Sequence, residues 1–308
     1  MLTSFFSKSK PVNFLAVTIF MAVFYISANL LELLNALDLS VWGTKIGVFV
    51  CFILSVTVLN FIAKKNDLTK RSAFKIVIFA VFSVSFLAIL QNNQVILANL
   101  SILLALRRII SLKSRKDIPQ KIFDATFWIC IASLFYFWAI LFLFIVFVGI
   151  LVHAANNFKN WLIPLVVFCT VAALVTSFHI LAYSDFYTLG KWFQESSFDF
   201  KLYQNLQLLI PLSIIIGLGL WTLFYYLGLM QKSSINSRPT YVLVLFTLAI
   251  AVLVAIFSPT KDGSELIFLF VPLSLIISNY FEGRKEKIFK EILLIGLVLM
   301  PILILFLS

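Results

Sequence analysis

Carboxylates in three short polar segments are the side chains of this 308-residue chain that could most readily do chemistry. Each segment adjoins long apolar runs, and a carboxylate held beside apolar surface can act as a general base on an incoming hydroxyl group. An accompanying lysine could hold a phosphate group. The seven acids are Glu32, Asp38, Asp185, Glu195, Asp199, Asp262 and Glu265.

The first segment carries Glu32 and Asp38 just after the first apolar run. The six-residue spacing is about 1.7 turns if the helix continues. We predict that Asp38 or Glu32 is a catalytic base. The alternative is that both are solvated charges at the level of the lipid headgroups, because exposed acids seldom do anything specific.

The longest polar connection, residues 183–205, interleaves aromatic and charged side chains. A segment of this kind can lie flat at a membrane surface with its aromatic rings in the acyl boundary. We predict a lid over a lipid-linked or amphipathic substrate, with Asp185 and Trp192 in the binding site. The alternative is a plain interfacial helix.

His179, one turn before this loop, is a further binding candidate because ionisable groups in spans are often functional. The alternative is a hydrogen-bonded histidine near the headgroups.

The third segment, residues 258–265, contains Lys261. A cation at this level could contact a lipid phosphate, so we predict Lys261 as a substrate-binding residue. The alternative is a tight turn formed by Pro259 and Asp262-Gly263, with Lys261 paired to a neighbouring acid.

The elements that carry these segments must lie in lipid. Hydrophobic residues make up 62% of the chain and charged residues 12%, against about 25% charged in a soluble domain. Lipid leaves helices or closed barrels as spanning structures, and the apolar runs do not alternate as barrel strands do. We therefore predict an all-α polytopic transmembrane helix bundle that forms a single integral membrane domain over residues 1–308, with 183–205 as an outer interfacial loop.

About 10–11 membrane segments are expected from the length of the apolar runs. Residues 122–153 would be about 48 Å long as one helix, which is too long for one crossing. We predict a short hairpin or re-entrant pair there. The segments are 12–31, 43–63, 73–90, 95–110, 122–136, 138–153, 161–182, 206–229, 241–257, 266–280 and 292–307.

The distribution of cations sets the orientation. With the hairpin, 20 of the 24 Lys and Arg fall on one side, and Lys45, Lys191, Lys201 and Lys261 fall on the other. The positive-inside rule then predicts a multi-pass protein of the bacterial inner membrane, with a cytoplasmic N-terminus and the C-terminus outside. The net charge of +11 is spread over short loops, which argues against a nucleic-acid partner. The loop from Arg107 to Lys121 is expected to contact anionic lipid headgroups.

Several activities lack their motifs. The sequence has no HExxH, P-loop or GxSxG pattern, which argues against a zinc protease, an ATP-driven pump or an elbow-type hydrolase. Two histidines cannot build a histidine-rich iron site, and the three cysteines lie singly in apolar runs. We therefore predict neither a metal nor a cofactor.

Two stretches, from Phe5 to Pro11 and from Phe257 to Pro272, resemble an uncharacterised bacterial family of integral membrane proteins of about this length. The layout of the chain is also similar to GT-C glycosyltransferases. That resemblance implies an outer-loop acid at Asp38 or Glu32 and a late basic residue at Lys261. The chain departs from the pattern because it lacks a paired acid motif in the first loop and a soluble outer domain.

Two hypotheses follow. The first is an enzyme of cell-envelope glycan or lipid metabolism that acts on a lipid-linked sugar or envelope lipid at the outer leaflet. The second is a non-enzymatic transporter, flippase or assembly subunit of a membrane complex. A single outer cavity lined by Asp38, Lys261 and the long loop would favour the first, whereas a polar path or a flat apolar face would favour the second.

Overall fold

A computed structural model describes residues 2–35, 38–283 and 286–306, without the side chain of Leu189. All regular elements in these ranges are helices. Short 3-10 turns cover Ser111–Ser114, Phe137–Phe142, Lys201–Gln204 and Ser264–Leu266. The α-helices are α1 Leu2–Phe6, α2 Pro11–Asn35, α3 Leu39–Lys65, α4 Phe74–Val84, α5 Leu87–Gln91, α6 Asn93–Ile110, α7 Ile118–Phe135, α8 Leu143–His153, α9 Lys159–Tyr183, α10 Leu189–Trp192, α11 Leu206–Lys232, α12 Arg238–Phe257, α13 Ile267–Gly283 and α14 Lys287–Leu305.

Eight helices in the described ranges are long and apolar enough to cross a membrane: α2, α3, α6, α9, α11, α12, α13 and α14. With the 3-10 turns that adjoin α6 and α13, these spans contain 19 to 27 residues, and about 20 residues cover a hydrocarbon core of about 30 Å. The chain is therefore a multi-pass membrane protein, and the prediction of an all-α polytopic bundle is confirmed.

Helices α4 and α13 form the centre of the bundle. All eleven residues of α4 are buried, and α4 packs against α13, α2, α3 and α14. A helix that is apolar on every side is buried either in protein or in lipid, and α4 is buried in protein. Nearly all of α13 is buried as well, whereas most of α9 faces outward.

The predicted segment 73–90 is broken rather than continuous. Helix α4 ends before Ser85, Phe86 is extended with φ −118° and ψ 104°, and α5 follows. The predicted segments 73–90 and 95–110 are separated by a turn at Asn92. Asn92 lies between α5 and α6 and caps α6, because its side-chain oxygen accepts a hydrogen bond from the Val95 amide at 3.2 Å.

The predicted hairpin over residues 122–153 is also present. The chain turns at Tyr136, which is extended between α7 and the 3-10 turn that leads into α8. Helix α8 then returns to the level where α7 begins. A Cβ atom on Gly149 of α8 would lie 2.8 Å from Ile109 and 3.3 Å from Leu112, at the end of α6. Each arm is about 27–29 Å long at the usual rises per residue.

The two ends of the bundle differ in charge. We call the end that contains the α2–α3, α9–α11 and α12–α13 connections the acidic end, and the opposite end, which contains the α6–α7 connection, the basic end. The acids of the acidic end include Glu32, Asp185, Asp199, Asp262 and Glu265, and the cations of the basic end include Lys65, Arg107, Arg108, Lys113 and Lys121.

Candidate functional site

An apolar cavity of about 190 Å³ lies at the acidic end between α7 and α9, under the chain that follows α9. We call it the acidic-end pocket. Carbon and sulfur atoms dominate its wall, so it suits an apolar group such as a lipid chain. Its lining residues are Cys130, Ser133 and Leu134 of α7, Phe168, Val171, Ala172, Val175 and Thr176 of α9, and Tyr187, Thr188 and Trp192 above them.

Trp192 fixes the cap over this pocket. Its indole N–H donates a hydrogen bond to the Ser133 carbonyl at 3.0 Å, one of the last four carbonyls of α7 that a helix leaves without a partner of its own. The indole also packs edge-on against Phe137, with ring centroids 4.9 Å apart, and against Phe168 at 5.9 Å. The cap is thus tied to both arms of the wall by one hydrogen bond and two ring contacts.

Charged and polar groups form the outer rim of the cap. The Asp185 carboxylate pairs with the Lys191 ammonium and accepts a hydrogen bond from the Phe186 amide at 2.7 Å. These contacts hold the pKa of Asp185 below its ordinary value, with the Lys191 hydrogen bond as the largest cause. The His179 ring lies 2.9 Å through Nδ1 from the Asp185 carbonyl oxygen and contacts the ring of Tyr187.

Glu32 belongs to a second cluster at the acidic end. Its carboxylate lies 2.8 Å from the ammonium of Lys45, a buried residue of α3. The same ammonium donates to the Asn29 side-chain oxygen at 2.8 Å, and the Asn29 amide donates to the Leu90 carbonyl at 3.1 Å. This chain of contacts ties α2, α3 and α5 together. Asp38 is exposed at the start of α3 and makes no capping hydrogen bond through its side chain.

Lys261 is buried beneath its own loop, with 2% of its surface exposed. Its ammonium donates hydrogen bonds to the carbonyl oxygens of Ala255 and Ile256 at 2.6 and 2.7 Å. A cation at the last carbonyls of α12 is favourable because the helix dipole is negative there. The ammonium also lies 5.2 Å from the ring centre of Phe200, and burial lowers the pKa of Lys261. A turn is present here, but carbonyl groups take the place of the expected acid partner.

Glu265 is buried, although the sequence analysis placed it with the other acids of the polar segments. It is fully buried, accepts a hydrogen bond from the Tyr203 hydroxyl at 2.5 Å and accepts another from the Gly263 amide at 3.0 Å. Burial, followed by the nearby Glu265 charge, raises the pKa of Tyr203. The only signal in the sequence is the position of Glu265 directly before an apolar run.

The predicted site residues therefore fall into separate groups. Trp192 lines the acidic-end pocket, and Asp185 and His179 lie in the rim of its cap. Glu32 and Lys261 bind other parts of the chain. Within the described ranges, no hydrogen bond or ion pair joins Asp38 to any of these five residues. In the same ranges, no group of three His, Cys, Asp or Glu side chains lies close enough together to hold a metal ion. The pocket residues that the sequence did not reveal are chiefly Cys130, Ser133 and Ala172.

A family model that describes a family of unknown function, DUF6427, matches residues 7–308. The chain belongs to DUF6427. This agrees with the predicted membership of an uncharacterised family. No curated protein and no solved structure matches the chain, so the similarity of this DUF6427 member to GT-C glycosyltransferases stays a prediction.

Proposed function

We propose that this membrane protein binds an amphipathic lipid of the lipid-linked sugar or envelope-lipid class, with an apolar chain in the acidic-end pocket and the headgroup at the cap. The observation that carries the proposal is the apolar cavity between α7 and α9 beneath Trp192, whose indole is hydrogen-bonded to the wall. Apolar cavities with a few polar groups at the mouth are the usual form of lipid and small-molecule sites.

The polar groups of the cap suit a sugar or phosphate headgroup. Lys191 supplies a cation, and Asp185 and Tyr187 supply hydrogen-bonding oxygens within the same short stretch. The rings of His179 and Tyr187 contact each other, and aromatic side chains commonly lie at the lipid–water boundary. The proposal is one of binding. A role for Asp38 or Glu32 as a base would need the headgroup to reach beyond the cap.

Photocrosslinking tests this proposal directly. A glycolipid with a photoactivatable acyl chain should crosslink the purified chain, in neutral detergent, at Cys130–Leu134 and 168–176. The variant Ala172→Phe fills the cavity and should lower these crosslinks severalfold. The matched control, Ala173→Phe, adds the same ring at an exposed neighbour outside the pocket. Crosslinks spread evenly over α2 and α11, or unchanged in Ala172→Phe, would refute binding in the pocket.

We also propose that the protein lies in the bacterial inner membrane with the acidic end outside. The support is the concentration of Lys and Arg at the basic end, as the positive-inside rule requires. Reporter fusions after Leu90, Ile110, Lys159 and Lys232 test the orientation. The first fusion should report an external position and the other three a cytoplasmic one, and the reverse pattern would refute it.

The second candidate function is lipid transfer between leaflets. It is favoured by a second cavity of about 610 Å³ between the same two helices at the basic end, which we call the basic-end groove. Phe123 of α7 and Leu162 and Val166 of α9 line it. The side chains of Cys130, Val167 and Val171 pack together between the two cavities. Exchange of a fluorescent lipid between leaflets of vesicles that hold the protein would support this candidate, and a rate equal to that of protein-free vesicles would exclude it.

A further inference from the structure

A cleft of about 430 Å³ opens at the basic end between the ends of α3 and α6 and the start of α7. We call it the basic cleft. Asp67 is the one acid among its lining residues. Five cations with so little compensating charge repel one another, and a bound anion would relieve that repulsion. The cations are Lys65, Arg107, Arg108, Lys113 and Lys121.

Three of the five cations of the cleft are held in place by neighbours other than acids. Arg107 lies 4.8 Å and Lys65 lies 5.3 Å from the ring centre of the same residue, Phe61. Lys121 donates hydrogen bonds to the Ser111 carbonyl at 3.0 Å and the Ser114 hydroxyl at 2.6 Å. Cation–π contacts and hydrogen bonds to neutral oxygens orient these groups without cancelling their charge.

One ion pair links the basic cleft to its neighbour. Arg108 lines the cleft and lies 2.8 Å from the carboxylate of Asp124. Asp124 lines the basic-end groove, together with Phe123. Among the described residues, Arg108 is the one cation of the cleft that makes an ion pair. The start of α7 therefore presents Lys121 to the cleft and Phe123 to the apolar groove beside it.

The loops around the cleft contain unusual backbone. Asp67, Arg115 and Asp117 have φ angles of 52°, 54° and 50°. Residues other than glycine avoid this left-handed region because the Cβ atom crowds the carbonyl oxygen. Such conformations persist where the surrounding structure requires them, and they are frequent at ligand sites. Their position here supports the view that both loops are shaped around the cleft.

We propose that the basic cleft binds the phosphate group of an anionic phospholipid, whose acyl chain lies in the basic-end groove. Arginine and lysine are the usual partners of phosphate, and arginine can contact two phosphate oxygens at once. The adjoining groove selects a lipid phosphate over a soluble one, because it offers apolar surface to the chain. This site lies at the opposite end of α7 and α9 from the acidic-end pocket and is independent of the lipid site proposed there.

The orientation of the protein in the membrane explains why cations are abundant at this end. It does not explain why five of them line the same cleft. Lys116 and Lys232 are exposed cations of the same end that lie outside the cleft. They provide a matched control, because removing them lowers the surface charge by the same amount as removing Arg107 and Lys113.

The test uses the full chain in phosphatidylcholine vesicles that contain a minor fraction of spin-labelled phosphatidic acid. The measurement is the fraction of label immobilised by the protein. Arg107→Gln with Lys113→Gln should weaken binding at least about tenfold, the effect of losing one charge-assisted hydrogen bond. Lys116→Gln with Lys232→Gln should leave it unchanged. An equal loss in both double variants would overturn the proposal, because bulk surface charge would then suffice.

Three further measurements distinguish a lipid phosphate from a soluble phosphate and control for misfolding of the variants. Spin-labelled diacylglycerol, which lacks the phosphate, should be immobilised much less. Val166→Trp fills the groove without a change of charge and should weaken binding, whereas Leu165→Trp, an exposed neighbour that does not line the groove, should not. Inorganic phosphate should fail to displace the labelled lipid. Full displacement by inorganic phosphate, or equal immobilisation of diacylglycerol, contradicts a phospholipid site.

Discussion

The acidic-end pocket and the basic-end groove are formed by the same two helices, but they differ in the residues that surround their openings. At the acidic end, Trp192 closes the cavity and donates to the Ser133 carbonyl. At the basic end, the groove stays open and adjoins a cleft that contains cations such as Arg107. The comparison teaches that α7 and α9 supply a common apolar wall, whereas elements outside the pair decide what each cavity can bind.

A second difference concerns the buried charges. At the acidic end, Glu265 and Lys261 are buried, and each is satisfied by hydrogen bonds from within the protein. At the basic end, Lys75 is buried in the same way and donates to the Ser72 carbonyl, but the five cations of the basic cleft line an open surface. We infer that the acidic end is stabilised by its internal polar contacts, and that the basic end gains stability when an anion binds.

The largest expected effect comes from Glu265→Leu. It leaves the Tyr203 hydroxyl and the Gly263 amide without an acceptor, and each buried unpaired group costs about 1–3 kcal/mol. The midpoint of thermal unfolding in neutral detergent should fall clearly. Glu265→Gln keeps an acceptor and should lose less. If Glu265→Leu unfolds at the wild-type temperature, the acidic end does not depend on these contacts.

Gly149→Leu tests the packing behind the basic cleft. A side chain there meets Ile109 and Leu112, so α8 must move away from the end of α6, at a cost of about 1–3 kcal/mol for overpacking. Thermal unfolding measures the loss. Gly217→Leu is the control, because a Cβ atom on Gly217 meets nothing within 4 Å. Equal unfolding temperatures for the two variants would contradict this packing.

Trp192→Phe removes the hydrogen bond of the cap and keeps an aromatic ring. A neutral hydrogen bond contributes about 0.5–1.5 kcal/mol net, so the cap should open severalfold more often. Hydrogen exchange of the amides in residues 184–192 measures this opening. Trp42→Phe, an exposed tryptophan on α3, serves as the control. Unchanged exchange in Trp192→Phe would show that the ring contacts alone hold the cap.

The smallest expected effect is the pH dependence of the cap. The pKa of Asp185 in the folded protein lies below its ordinary value of 3.8. Its pairing with Lys191 therefore stabilises the cap above pH 3.8, and this contribution is lost as the pH falls through the lowered pKa. Exchange of the cap amides should rise in that acidic range. In Asp185→Asn the same transition should be missing, and an unchanged profile would rule out the pair as its cause.

The hydropathy of the sequence was enough to predict the long helices, and the length of the apolar stretch over residues 122–153 was enough to predict the hairpin. The break between α4 and α5 was not predictable, because neither glycine nor proline marks Ser85 and Phe86. The position of this break depends on how α4 and α5 pack against helices that lie far away in the sequence.

The polar contacts of the candidate site were harder to predict than the helices. Tyr203 and Glu265 are 62 residues apart, and the partners of Lys261 are backbone carbonyls, which no side-chain motif reveals. Cys130 and Ser133 are three residues apart on α7, so a shared helical face was predictable. The cavity was not, because it needs the facing residues of α9.

The central position of α4 has a consequence for how the protein is made. Its main packing partner, α13, is synthesised long after α4 has left the ribosome. Until then α4 can pack against α2 and α3, but the side that meets α13 must be covered by lipid or by an insertion factor. The packing around this central helix is therefore completed only when the two last helices, α13 and α14, arrive beside it.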